Sequence, residues 1–238
     1  MSVPRPVVCL PTYNERENLE SMIRALADKD VDVLVIDDSS PDGTGEVADR
    51  LAGELPWVEV LHRPRKDGLG RAYVDGFRHV LARGAELVLE MDCDFSHDPA
   101  DVPRLIAAVE EGADLALGSR YVEGGGTKNW GLVRRLISRG ASVYTRVLLM
   151  PVHDSTGGFK CFRRRVLESI DLETIDAAGY VFQIETTYRA LRKGFRVVEV
   201  PILFADRTAG RSKMSRAIVL EAVWKVPALR LAALAGRL

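Results

Sequence analysis

The chain has 238 residues, 47% of them hydrophobic and 28% charged, which suits one folded domain with a substantial core and excludes a fibrous or disordered chain. No apolar run approaches the ~20 residues needed to span a bilayer, and no signal-peptide pattern follows Met1, so the expected location is cytosolic. The net charge of −1 conceals an asymmetry: acids outnumber bases 25 to 13 over residues 1–123, and bases outnumber acids 20 to 9 over residues 124–238. An acidic half suits a metal ion, and a basic half suits phosphates or an anionic membrane; chance clustering of solvated charge is the alternative.

The first half alternates β-rich runs with helical stretches. Val7–Leu10 reads as a strand, then Glu17–Ala27 as a helix capped by Asn14. Val31–Ile36 is the second strand, and Thr44–Leu55 a helix after the turn Ser40-Pro41-Asp42-Gly43. Val58–Leu61 (strand), Leu69–Arg83 (helix), Leu87–Met91 (strand), Ala100–Glu110 (helix) and Leu115–Leu117 (strand) follow. Such repeated units predict a mostly parallel sheet covered by helices on both faces. Ligands of such sheets bind beyond the carboxyl ends of the strands. In the second half, Gly124-Gly125-Gly126 reads as a flexible loop and residues 132–149 as a helix. Gly157–Phe162 reads as a strand, Tyr180–Lys193 as a helix, and Phe195–Val200 as a strand stopped by Pro201. A helical, basic tail runs from Met214, interrupted by Pro227.

Asp92-Cys93-Asp94 follows an apolar strand, and residues i and i+2 of extended chain point the same way. Two hard oxygen ligands there suit Mg²⁺ or Mn²⁺ shared with a diphosphate; a solvated loop is the bland alternative. Asp37-Asp38 closes the second strand similarly and suits a nucleoside, or else turn chemistry with Ser39, Ser40 and Asp42. Neither a Gly-x-x-x-x-Gly-Lys loop nor a Gly-x-Gly-x-x-Gly loop occurs, which argues against an ATPase and a dinucleotide dehydrogenase. Cys9, Cys93 and Cys161 have neither disulfide nor zinc spacing and read as reduced core thiols.

Residues 124–153 hold Lys128, Arg134, Arg135, Arg139 and Arg146 and no acid, among many apolar residues. Arg134 and Ser138 share a helix face. The segment suits a lipid phosphate, or else is a core helix with a solvated basic face. The tail, with Lys225, Arg230 and Arg237, suits a membrane surface, packing on the domain, or a partner chain. No feature calls for nucleic acid.

Taken jointly, several blocks resemble the family 2 glycosyltransferases of the GT-A fold, in their phosphopolyprenol mannose synthase branch. They are Leu10-Pro11-Thr12-Tyr13-Asn14-Glu15-Arg16-Glu17-Asn18-Leu19, Val35–Thr44, Arg63-Pro64 with Gly68-Leu69-Gly70, and Met91–Pro99. Gly118-Ser119-Arg120-Tyr121, Ile137–Ala141, Gly179–Gln183 and Asp206-Arg207 through Ser212-Lys213 complete the set. The resemblance covers about residues 7–215 and implies a single Rossmann-like α/β domain over residues 1–215; residues 216–238 stand apart as an amphipathic tail suited by its residue types to an interface. It implies a metal-dependent (Mn²⁺ or Mg²⁺), inverting transfer of mannose from GDP-mannose to a polyprenyl phosphate at the cytoplasmic face of a membrane. Pro11, Tyr13, Glu15, Ile36 and Asp38 would hold the guanosine. Asp92, Cys93 (by its backbone) and Asp94 would bind the diphosphate and its metal, with Ser96 where some members place a metal-binding Gln. Arg207 and Lys213 would close over the diphosphate; Arg120, Arg134 and Ser138 would take the acceptor phosphate. Related enzymes often end in two transmembrane helices, absent here, so peripheral binding and a separate membrane anchor protein both stay open. The rivals are the same chemistry with UDP-glucose and a non-catalytic nucleotide-sugar-binding protein.

Overall fold

The computed structural model describes residues 4–175, 179–206 and 216–236. Runs rich in Val, Leu and Ile form β1 (Val7–Thr12), β2 (Asp32–Asp37), the edge strand β3 (Val58–His62) and β4 (Leu87–Glu90), with α1 (Arg16–Leu26), α2 (Thr44–Glu54) and α3 (Leu69–Ala82) between them. A 3₁₀ turn, Pro99–Asp101, leads into α4 (Val102–Glu110) and β5 (Leu115–Ser119). Next come β6 (Gly126–Lys128), α5 (Leu132–Leu148), β7 (Lys160–Arg163) and α6 (Arg164–Ser169). After these lie α7 (Tyr180–Arg192), β8 (Val197–Pro201), β9 (Leu203–Ala205) and α8 (Arg216–Leu234).

The main sheet has the order β3-β2-β1-β4-β7-β5-β8. Its pairs are parallel except those of β7, which runs antiparallel to both β4 and β5. The pleat sorts side chains between two cores. On one face Val8, Leu10, Val33 and Val35 meet Leu19, Met22 and Ile23 of α1 and Leu105 and Val109 of α4. On the other, Cys9, Leu34, Ile36 and Val88 meet Tyr73, Phe77 and Val80 of α3 and Phe182 of α7. Each such fully buried aliphatic side chain contributes ~1.5–3 kcal/mol. A Cβ on Gly76 would lie 2.3 Å from Ile36 Cδ1, so glycine lets α3 sit directly on β2.

Several expectations change. Asn14 does not cap α1: it takes a left-handed conformation, φ 59°, and Glu15 is the N-cap residue, without a side-chain cap bond. Gly124–Gly126 is no loose loop. A Cβ on Gly125 would lie 2.5 Å from the Ser119 carbonyl oxygen, and Gly126 begins β6, which pairs with β9. Glycine there serves close backbone approach rather than freedom. The strand expected from Gly157 begins at Lys160, and α8 runs unbroken through Pro227. The expected start of the tail at Met214 lies outside the described residues. Val226, Leu229 and Ala233 of α8 are buried against Ile184 and Tyr188 of α7, so the tail packs on the domain. Among the described residues no helix is long and apolar enough to cross a membrane.

The strand order reverses between β1 and β4, which opens a crevice beyond their carboxyl ends. The loops after β1, β2 and β4 all converge on it.

Candidate active site

β4 ends at Glu90, and residues 93–97 bend instead of continuing as extended chain. The geometry that would align Asp92 with Asp94 as i and i+2 of a strand is therefore absent; a turn places them. Phe95 is left-handed, φ 59°. Buried Asp94 closes the turn: its Oδ1 accepts the Ser96 backbone N–H (3.0 Å) and hydroxyl (2.6 Å). The Ser96 hydroxyl thus orients Asp94. Asp92, half-buried, is held through its backbone N–H, which donates to His97 Nδ1 at 3.1 Å. Burial pushes the pKa of His97 down to about 4, so the ring is neutral and its Nδ1 accepts. The ring stacks on Phe159 at 4.9 Å and meets Phe204 edge-on at 5.3 Å.

The loops after β1 and β2 are laced together. Asp37 accepts from Thr12 Oγ1 (3.1 Å) and from Ser40 Oγ (2.6 Å) and N (3.1 Å), so it builds the turn. The Glu15 N–H donates to Thr44 Oγ1 at 3.0 Å. Buried Asp38 pairs with Arg63, which also donates from Nε to Asp75 Oδ2 at 2.7 Å. Burial raises the Asp38 carboxyl pKa, against the pull of Arg63. Lys66 Nζ sits 3.7 Å from the Tyr13 ring centroid. Pro11, Tyr13 and Glu15 are half-buried at the rim, whereas the Ile36 side chain lies in the core under α3 and faces no ligand.

Across the crevice stands a basic and aromatic wall. Arg120, buried, donates from N, Nε and Nη2 to the Asp154 carboxylate at 2.9, 2.7 and 2.6 Å, and from Nη2 to Thr156 Oγ1 at 2.8 Å. Its guanidinium lies 5.3–5.4 Å from the ring centroids of Tyr121, Trp130 and Phe204. Arg134 lies 4.1 Å over Trp130 and donates from Nη1 to Asp206 Oδ1 at 2.5 Å. Among the described residues, Arg134 Nε and Trp130 Nε1 are buried N–H donors without a hydrogen-bond partner. Ser138 Oγ accepts from the Tyr121 hydroxyl at 2.6 Å. The wall and the acid loop meet at β9, where the Ala205 N–H donates to the Ser96 carbonyl at 3.3 Å. Arg207 and Lys213 lie outside the described residues.

Residues 7–171 match the sequence profile of Glycosyl transferase family 2. The chain belongs to this family. A polyprenol monophosphomannose synthase from Mycolicibacterium smegmatis is 51% identical over 93% of this chain and 85% of its own length. An undecaprenyl-phosphate mannosyltransferase from Micrococcus luteus is 49% identical over 96% and 95%. A dolichol-phosphate mannosyltransferase from Pyrococcus furiosus is 38% identical over 90% and 60%. Among solved structures, a mannosyl-3-phosphoglycerate synthase from Rubrobacter xylanophilus superposes with TM-score 0.69 at 20% identity, covering 99% of this chain and 76% of that one. A mannosyltransferase from Pyrobaculum calidifontis, in complex with GDP-Man and Mn²⁺, gives TM-score 0.63 at 18% identity, over 99% and 75%. The fold expected from the sequence, a mostly parallel GT-A-like sheet wrapped by helices, is thus the observed one.

For a glycosyltransferase of this family, Asp92 and Asp94 offer hard oxygen donors suited to a divalent ion. Cys93 between them is buried, and burial pushes its thiol pKa far up. Among the described residues no three His, Cys, Asp or Glu side chains form a closed metal cluster. Two carboxylates without a cage fit an ion that completes its shell from substrate phosphate oxygens.

The sequence left Asp154, His97, Trp130 and Arg63 without a role at this family 2 site. Asp154 carried the one usable signal, as the first acid after Glu123 in an otherwise basic stretch. Beside the acid loop, Lys160 Nζ donates to Gln183 O (2.9 Å), Gln183 Oε1 (2.6 Å) and Thr186 Oγ1 (2.9 Å) and lies 4.0 Å from Glu90. Burial lowers the pKa of Lys160 to about 8 and raises that of Glu90 to about 7. Arg63→Ala, which strips Asp38 of its partner, is expected to lower the unfolding free energy by about 2–3 kcal/mol, read by urea denaturation.

Proposed function

We propose that the protein transfers mannose from GDP-mannose to a polyprenyl phosphate, with inversion at the sugar C1, on the cytoplasmic face of a membrane. The 51% and 49% identical relatives, named for mannosyl transfer to polyprenol and undecaprenyl phosphates, support the substrate pair. One observation carries the acceptor half. Among the described residues, Arg134 Nε and Trp130 Nε1 are buried donors left unpaired near Ser138 and Arg120, an arrangement that costs stability unless an acceptor such as an anion fills it.

In this reading Asp92 and Asp94 hold a Mn²⁺ or Mg²⁺ ion, with Ser96 acting by fixing Asp94. Such an ion, held there, would supply positive charge to offset the negative charge developing on the departing diphosphate. Pro11, Tyr13, Glu15, Asp38 and the backbone at Ile36 seat the guanosine, and Cys93 contributes its backbone alone. Arg207 and Lys213, outside the described residues, are assigned to the diphosphate by the family resemblance alone. Arg134 and Ser138 orient the acceptor phosphate; Arg120 holds their wall through Asp154 and adds positive potential. That phosphate is already ionised near neutral pH, so no protein base is needed. Catalysis is then positioning and electrostatics around one in-line displacement.

The test is transfer of labelled mannose from GDP-mannose into an organic-extractable polyprenyl phosphate. Product with Mn²⁺ or Mg²⁺, and none with EDTA, is the expected result. Product with UDP-glucose alone would overturn the donor. Silence with every donor would favour a non-catalytic nucleotide-sugar-binding protein.

A further inference from the structure

The two arginines of the basic wall are held in different ways. Arg120 is locked: its carboxylate partner, Asp154, takes three hydrogen bonds from it, and the two side chains are 5% and 0% exposed. Arg134 is held by one hydrogen bond, from Nη1 to Asp206 Oδ1 at 2.5 Å, and here the side chains are 21% and 42% exposed. Arg134 stands in the row of α5 that carries Ser138, Ser142 and Thr145 inward, while Leu132, Leu136 and Val147 of that helix are exposed. Its guanidinium is fixed over Trp130 at 4.1 Å, and among the described residues its buried Nε has no acceptor. The backbone of Asp206 is pinned: its N–H donates to Lys128 O at 3.1 Å, and the preceding N–H, of Ala205, donates to Ser96 O at 3.3 Å. A turn of the half-exposed Asp206 side chain is therefore all that releases Arg134.

We propose that Asp206 is the resident counter-ion of the acceptor site, a carboxylate that occupies Arg134 in the free protein and that an incoming phosphomonoester displaces. Ion pairs open to water are weak and yield to a better anion, whereas a buried pair such as Arg120–Asp154 stays closed. A phosphate is the better anion here. It brings more charge than a carboxylate and three acceptor oxygens, and it matches the fork of a guanidinium through two parallel bonds. It can therefore take Nη1 and also serve the Nε that Asp206 leaves unpaired. An uncharged hydroxyl has no means to displace the carboxylate, so the exchange makes Asp206 a specificity-determining residue: phosphates enter and neutral acceptors do not. The apparent affinity for the acceptor is reduced by the fraction of molecules in which Asp206 holds Arg134. The inference rests on the reading of Arg134 as a residue of the acceptor phosphate and adds the competition that sets its affinity.

Isothermal titration of the full chain with geranyl phosphate, a water-soluble polyprenyl phosphate, tests this in the absence of donor. Asp206→Asn keeps an oxygen facing Arg134 and removes only the charge. It is expected to tighten binding by about three- to tenfold, with the melting temperature within about 2 °C of wild type. Arg134→Gln is expected to weaken binding by about tenfold or more. In the transfer assay Asp206→Asn should lower the acceptor KM by the same factor by which it tightens binding. If Arg134→Gln weakens binding and Asp206→Asn binds no more tightly than wild type, the counter-ion role is overturned and the acceptor reading stands. If Arg134→Gln binds as wild type does, or wild type does not bind, the acceptor reading fails and the inference fails with it. A fall in kcat with the acceptor KM unmoved would also overturn the inference, because Asp206 would then act in the chemistry and not in the exchange.

Discussion

Asp94→Asn is expected to reduce mannosyl transfer by about 10³-fold while leaving the fold in place. The amide oxygen of Asn still accepts from the Ser96 N–H and hydroxyl, which hold the turn at 3.0 and 2.6 Å. What disappears is a negative charge and an anionic oxygen at the point proposed for the divalent ion. The melting temperature should stay within about 2 °C, because a change below 1 kcal/mol moves a domain of this size by only a few degrees. Both quantities are measured on one preparation, by transfer assay at saturating metal and by differential scanning fluorimetry. A variant retaining more than about a tenth of wild-type transfer would remove Asp94 from the ion site, given the size of effect expected of such a ligand. Asp94→Ala also deletes the acceptor for the Ser96 bonds, so its loss of activity would mix chemistry with an unravelled turn.

Asp154→Ala should be the more damaging change to stability. Asp154 is fully buried and takes three hydrogen bonds from Arg120, itself buried. Removing the carboxylate leaves a guanidinium without its counter-charge, a loss of about 3–5 kcal/mol. The melting temperature should fall on the order of 10 °C. Replacing both partners, Arg120→Met with Asp154→Leu, should restore most of that stability, because no charge is then stranded. The double variant also isolates the part of Arg120 in transfer. Recovered stability with transfer still lost would give Arg120 a direct part in acceptor binding. Recovery of both would make it scaffold alone.

The strands at the carboxyl ends of which the site lies were legible because β1, β2 and β4 are apolar runs closed by acids or turn residues. Their starts and ends fell within a few residues. The acids Asp38, Asp92 and Asp94 were legible for the same reason: strand ends advertise themselves. The partners were not. Arg63 and Asp154 stand far in sequence from Asp38 and Arg120, which they support, and a sequence holds no distance between position 120 and position 154; His97 and Trp130 are near Asp92 and Arg134, but a turn and a ring stack place them. The short parallel pair β6–β9 escaped because three residues show no periodicity, and its glycines resemble those of a loop. The direction of α5 was also hidden. Its apolar and polar residues are periodic whichever side faces the protein, so the pattern shows amphipathicity and leaves open which face is buried. The basic tail was legible as a helix, but its packing on α7 came from tertiary contacts.

β7 has a consequence for the order of assembly. It supplies the link between β4 and β5, yet its residues, Lys160–Arg163, follow β5 in the chain by about forty positions. A nascent polypeptide emerging from the ribosome therefore carries an open edge on β4 until β7 has emerged, and β5 has no strand partner until β7, and then β8, follow it out. The helix with the apolar outer stripe is synthesised within that interval. Chaperone engagement of the growing chain should thus peak between the completion of β5 and the arrival of β7, when unpaired strand edges and exposed Leu and Val side chains coexist.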